Sequence, residues 1–127
     1  MKKTIVKPAG GAAAIGPYSH AVRAGDFLFC AGQIPVVPES GQIAGPDIQT
    51  QTERVLENVK IILRDQKLDF SHVVKTTVFL ADLADFAAMN EVYARYFTAD
   101  FPARSTVQVA ALPRGAKVEI EVVAHYG

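Results

Sequence analysis

Tryptophan is missing, cysteine occurs once, and neither sign of charge is in excess. The lone Cys30 can form no internal disulfide and no cysteine metal cluster, so a reducing, cytoplasmic setting is expected. Thirteen basic and thirteen acidic residues cancel. That balance removes any broad pull toward nucleic acid or anionic lipid, and no basic run restores it. No apolar stretch approaches the roughly 20 residues of a membrane span. Lys2 and Lys3 are followed by Pro and Gly residues, not by the apolar core of a secretory leader. Neither nucleic acid nor a membrane is therefore an expected partner.

Familiar catalytic signatures are lacking too. The Gly10-Gly11 to Gly16 segment has the spacing of neither a P-loop nor a dinucleotide fingerprint, and no strand is predicted before it. His20, His72 and His125 share no metal-ligand spacing. There is no Gly-x-Ser-x-Gly elbow to present a serine nucleophile. Cys30 lies within an apolar run and reads as core before it reads as a nucleophile. Chemistry without metal or cofactor is the expectation.

What the sequence does contain is enough apolar material for one core. Half of its 127 residues are apolar and a fifth are charged, which fits a single domain spanning residues 1–127. Residues 18–24 and 27–32 read as a strand pair about a Gly25-Asp26 turn. Pro35, Pro38, Gly41, Gly45 and Pro46 mark a loop. Asp47 can cap a helix whose apolar stripe is Ile48, Val55, Leu56, Val59, Ile62 and Leu63. A β-branched strand is predicted over 71–80. A second helix then starts at Asp82 or Asp85, carries Phe86, Met89, Tyr93, Tyr96 and Phe97 on one face, and ends at Phe101-Pro102. Strands over 105–110 and 117–126 close the chain.

In the last strand Val118, Ile120, Val122 and Ala124 alternate with Lys117, Glu119, Glu121 and His125. The predicted order is ββαβαββ, an α+β fold in which right-handed crossovers place both helices on one side of a mixed sheet. Two helices cover one face, yet 27–31 and 73–80 are apolar on both. The second face needs a partner, and a homo-oligomer with sheet faces turned inward supplies it.

Several residues stand out as chemistry-bearing. Arg104, where a loop enters a strand, can grip a carboxylate or phosphate through two parallel hydrogen bonds, although most arginines are simply exposed. Glu119 reads as a solvated strand carboxylate or as one that orients or deprotonates a water. Asn90 falls between Phe86 and Tyr93 on an apolar stripe, where it either ties down loop backbone or faces a site. Tyr18 follows a rigid Ile15-Gly16-Pro17 entry and is either packed or functional. Gly32 either marks a β-bulge or lets a ligand reach its N–H.

Five blocks occur in order: Ile15-Gly16-Pro17-Tyr18-Ser19, Ala31-Gly32-Gln33-Ile34-Pro35, Val74-Lys75-Thr76-Thr77-Val78-Phe79-Leu80, Pro102-Ala103-Arg104-Ser105 and Val118-Glu119-Ile120-Glu121. Together they resemble the reactive-intermediate deaminase family, also called the RidA or YjgF family, over nearly the whole chain. The resemblance implies a chorismate-mutase-like fold and a homotrimer with a site at each subunit interface. It also implies hydrolysis of 2-imino acids, chiefly 2-iminobutanoate and 2-iminopropanoate, to 2-oxo acids and ammonia. Such imines leave pyridoxal-phosphate enzymes and can damage others.

On that resemblance Arg104 would bind the substrate carboxylate and Glu119 would position the attacking water. Tyr18 and Asn90 would line the pocket, and backbone at Gly32 and Thr106 would complete it. Ala31 stands where many members have serine, and Thr106 where some have cysteine. Two other functions fit parts of the pattern. An endoribonuclease or translation inhibitor would want a basic groove and catalytic histidines, against the neutral charge and scattered histidines. A non-enzymatic module for small carboxylates or a regulatory protein would need Arg104 but not Glu119.

Overall fold

The computed structural model describes residues 2–127. Six strands form one mixed sheet: β1 (Lys3–Val6), β2 (Ala21–Ala24), β3 (Phe27–Gln33), β4 (Val73–Leu80), β5 (Ala103–Gln108) and β6 (Val118–His125). Their order across the sheet is β1-β2-β3-β6-β4-β5. Helix α1 (Ile48–Asp65) crosses from β3 to β4, and α2 (Phe86–Tyr96) crosses from β4 to its parallel neighbour β5. The α+β reading stands, with a mixed sheet and two helices.

Each helix forms for reasons visible in its residues. The Asp47 carboxylate accepts from the Thr50 N–H at 2.9 Å, satisfying one of the free donors at the start of α1 and holding its own pKa low. All six residues of the predicted stripe are buried, with Val55, Leu56, Val59 and Leu63 at 0% exposure. Each such side chain contributes about 1.5–3 kcal/mol of burial free energy. The stripe lies on the Leu28–Cys30 face of β3 and the Val118–Val122 face of β6, beside α2. In α2, Asp85 makes no capping bond. Asp82 instead caps a 3₁₀ turn, Leu83–Asp85, that leads into the helix. Met89, Val92, Tyr93 and Phe97 are buried, whereas Phe86 is turned outward and remains 38% exposed.

Several boundaries depart from expectation: Ser71 and His72 belong to a 3₁₀ turn before β4, α2 ends at Tyr96 and not at Phe101-Pro102, and β5 ends at Gln108 and not at Ala110. The order gains an N-terminal strand, because Lys3-Thr4-Ile5-Val6 pairs with β2 in antiparallel register, Lys3 opposite Ala24 and Val6 opposite Ala21. Four residues at a sheet edge, three of them exposed, leave too little alternation to read as a strand. The strand expected over 18–24 keeps only Ala21–Ala24, so Tyr18 precedes the sheet. Strand β5 starts two residues early, at Ala103, which puts Arg104 within the strand.

The sheet's other face carries no helix. Phe27, Phe29 and Val107 point from it and are 41%, 46% and 42% exposed. Phe27 and Phe29 lie 6.4 Å apart, and His125 meets Phe27 edge-on at 5.1 Å.

Cys30, on the covered face, is 5% exposed, and burial pushes its thiol pKa up to about 12. A thiol-specific disulfide reagent at pH 8 is expected to label Cys30 only in denaturant. Stoichiometric labelling of the native protein within minutes would contradict the packing described.

Candidate active site

Strand alternation sorts the chemistry-bearing residues onto different faces. On β4 and β6, Thr76, Val78 and Leu80 pair with Val122, Ile120 and Val118, and all six are buried beneath the helices. Arg104 and Thr106 pair with Thr76 and Val78 and share that side. Glu119 pairs with Phe79 and shares the helix-free face with Glu121. A single chain therefore holds Arg104 and Glu119 on opposite faces of its sheet.

Arg104 sits on the edge strand β5 and is clasped from the helix layer. Its Nη1 donates to the Asn90 Oδ1 at 2.7 Å, and its guanidinium carbon lies 4.7 Å from the Tyr93 ring centre and 5.4 Å from that of Phe86. Phe86, Asn90 and Tyr93 are spaced at four and three residues, so one helical face presents all three. Cation–π attraction and the amide bond hold the guanidinium without neutralising it. Arg104 has no carboxylate partner among the described residues. Asn90 thus faces the arginine and does not tie down loop backbone. Tyr93 is fixed in turn by a buried 2.8 Å hydrogen bond to Thr76, the residue paired with Arg104 across β4 and β5. Losing either hydroxyl would strand the other at a cost of about 1–3 kcal/mol. Burial raises the Tyr93 pKa, so its hydroxyl stays protonated. Thr106 Oγ1 is buried without a hydrogen-bond partner among the described residues.

On the other face, Glu119 lies across Gly32. A Cβ at Gly32 would come within 2.7 Å of the Glu119 carboxyl carbon, so any larger residue there would push that side chain from its place over the strand. The register between β3 and β6 slips here. Cys30 pairs with Val122 and Gln33 with Ile120, leaving Ala31 and Gly32 opposite Glu121 alone. Gly32 is therefore both a bulge residue and a point of close approach. Half-burial raises the pKa of Glu119, and the charge of Glu121 adds to the effect. A carboxylate that binds its proton more firmly is a better proton acceptor.

Tyr18 is 50% exposed, and its ring meets that of His20 edge-on at 5.8 Å. It lines an open cavity of about 320 Å³ under the N-terminal segment, with Lys7, Ala12 and His20 among the other walls. The structure thus brings Arg104 together with Asn90 and Thr106, and Glu119 together with Gly32. Among the described residues no hydrogen bond joins the Tyr18 side chain to either group. Phe86, Tyr93 and Thr76 were not singled out as site residues, although the Phe86–Asn90–Tyr93 spacing was there to signal the first two. No three His, Cys, Asp or Glu side chains gather into a metal cluster among the described residues. None of the helices described is long and apolar enough to cross a membrane.

Fold and site define a small α+β protein that displays an ordered, unneutralised arginine at a sheet edge and a partly desolvated carboxylate on the open face. A family model described as "Endoribonuclease L-PSP" matches residues 9–126. The chain belongs to that family, the one the ordered sequence blocks resemble under the names RidA and YjgF. "Reactive Intermediate Deaminase A, chloroplastic" of Arabidopsis thaliana is 50% identical over 98% of this chain and 66% of its own length. The human "2-iminobutanoate/2-iminopropanoate deaminase" is 44% identical over 98% and 91%. Among solved structures, E. coli TdcF with bound serine superposes with a TM-score of 0.92 at 44% identity, covering 98% of this chain and 99% of that one.

The raised Glu119 pKa fixes a sign. The folded chain binds more protons than the unfolded one between the ordinary carboxylate pKa and the raised value, so stability falls as pH rises through that window and then levels. Glu119→Gln is expected to melt at a higher temperature than wild type at pH 8, with the gap closing toward pH 3. Equal melting temperatures at pH 8, followed by circular dichroism, would remove the desolvated state assigned to this carboxylate.

Proposed function

We propose that the protein hydrolyses 2-imino acids such as 2-iminobutanoate and 2-iminopropanoate to 2-oxo acids and ammonia. The observation that carries this reading is the clasped Arg104, whose guanidinium is fixed by Asn90, Tyr93 and Phe86 yet is not neutralised. Two relatives similar over 98% of this chain bear deaminase names. TdcF, solved with bound serine, is a structural neighbour that holds an amino acid, and with it an α-carboxylate.

The reaction asks little of the protein beyond placement. A protonated imine is already electrophilic at C2. Arg104 binds the adjacent carboxylate through its free N–H groups and fixes that carbon. Glu119 accepts a proton from a water as the water oxygen bonds to C2, giving a carbinolamine. Glu119 returns that proton to the amino group, and as the C–N bond breaks the hydroxyl gives its proton to Glu119, which passes it to the departing ammonia and leaves the 2-oxo acid. Tyr18, Asn90 and the backbone at Gly32 and Thr106 complete the pocket in this reading. The protein thus needs no metal or cofactor, and its partner is a small 2-imino acid.

Since Arg104 and Glu119 occupy opposite faces of one sheet, one site requires both from different protomers. The open face bearing Phe27, Phe29 and Val107 offers the apolar surface for such an assembly. The family resemblance implies that this assembly is a cyclic homotrimer with a site at each interface, and multi-angle light scattering is expected to give three times the chain mass. A monomer at micromolar concentration would end the shared-site reading.

The family name carries a second reading, endoribonuclease. The neutral chain and the placement of its histidines weigh against it. His72 closes a capping box with Asp69 and His125 packs on Phe27.

Activity is best tested with an amino-acid oxidase that generates imines in place and semicarbazide as the competing trap. Arg104→Ala is expected to lower kcat/KM at least about a hundredfold through loss of charge-assisted hydrogen bonds. Glu119→Ala is expected to lower kcat by about 10²–10⁴. The two inactive chains, unfolded and refolded together in equal amounts, should recover about a quarter of wild-type activity, because one interface in four combines both intact residues. No recovery from well-folded mixed trimers would mean that the two residues do not share a site across an interface. RNA cleavage that is abolished by Arg104→Ala and co-purifies to homogeneity would favour the endoribonuclease instead.

A further inference from the structure

The bulge in β3 has a holding device that the proposed mechanism does not use. Gln33 pairs with core-facing Ile120, and its side chain is buried at 7% exposure between the sheet and α1, near Asn58 and Ile62. Its Nε2 donates to the Ala31 carbonyl at 3.1 Å, and its second N–H faces His20 Nδ1 at 3.4 Å. With Nδ1 accepting, a neutral His20 carries its proton on Nε2, an atom buried without a partner among the described residues. The Ala31 N–H is also engaged, donating to the His20 carbonyl of the neighbouring chain segment at 2.9 Å.

A peptide unit is planar, with its C=O and N–H pointing in opposite directions. Fixing the Ala31 oxygen on the β2 side therefore turns the Gly32 N–H the other way, toward β6, while the Glu119 carboxylate lies against Gly32 where a side chain would project. A two-residue bulge has no regular ladder to set that peptide's tilt, so the side chain supplies what the ladder does not. Just beyond, Asn58 Nδ2 donates to the carbonyls of Ile34 at 3.2 Å and Val36 at 2.9 Å, anchoring the next segment to α1.

We propose that Gln33 is a positioning residue. Held by His20, it locks the Ala31–Gly32 peptide so that the Gly32 N–H is presented to the bound acid beside Glu119. This deepens the imino-acid reading and rests on it for the identity of the ligand.

The test uses full-length protein labelled with ¹⁵N-glycine. Gln33→Met keeps the volume and removes both donors. The Gly32 amide resonance is expected to move and its hydrogen exchange to accelerate about tenfold, the equivalent of one net hydrogen bond. KM for the imine should rise about tenfold with kcat within about twofold. Gln33→Glu should behave like Gln33→Met at pH 8 and recover toward wild type as acid protonates the new carboxyl, a return that mere space-filling would not produce. It also serves as the second variant if Gln33→Met does not fold. An unchanged Gly32 amide in a folded variant overturns the proposal, and so does a displaced amide with KM unchanged. If wild type does not turn over imines, the functional reading falls, while the Gly32 amide still decides whether Gln33 sets that peptide.

Discussion

A six-stranded sheet has two faces, and in this chain two helices are available to cover them. Side chains leave a strand alternately up and down, so each residue of β5 and β6 is committed to one side by its position. Val118, Ile120 and Val122 must face the helices, since they fill the core beneath them. That obligation sends Glu119 to the uncovered face. The pairing of Arg104 with Thr76, and of Thr76 with Val122, sends the arginine to the covered one. Both residues that carry the proposed chemistry are thus placed by core packing. The separation between them is a consequence of the fold, and under the proposed function it makes association between copies a condition of activity.

Each half of the site has its own support. Around Arg104 the support is aromatic and local: one helical face supplies Phe86, Asn90 and Tyr93, and the Tyr93–Thr76 bond ties that face to the strand beside the arginine. Around Glu119 the support is an absence. Gly32 has no side chain where the carboxylate lies, and the bulge that makes the space is braced from the core by Gln33. Glu119 is left half-desolvated and near a second negative charge, an arrangement that costs stability and suits a proton acceptor.

Much of this was legible in the residues. The α1 stripe from Ile48 to Leu63 and the alternation of β6 are periodic signals long enough to fix both elements. The apolar character of 27–31 on both faces announced a surface in need of a partner, and Phe27 and Phe29 stand exposed there. Strand β1 was not legible, because four edge residues hold little alternation. The bond from Arg104 to Asn90 could be suspected only from helical spacing. The contact of Gly32 with Glu119 joins residues far apart in sequence through a slipped register, which no local pattern encodes. Gln33 was visible within its block, yet its task depends on which peptide lies within reach of its amide.

The clasp on Arg104 also bears on selectivity. A long, flexible side chain ordinarily gives up about 0.5–1.5 kcal/mol of rotational freedom when it is immobilised against a ligand. Here Asn90, Tyr93 and Phe86 have already confined it during folding. Confinement also narrows what is accepted, since a guanidinium held in one plane favours a flat carboxylate in that plane over an anion of other shape. In the proposed site the clasp therefore acts as a stencil, selecting imino acids by the orientation of their acid group before any chemistry begins.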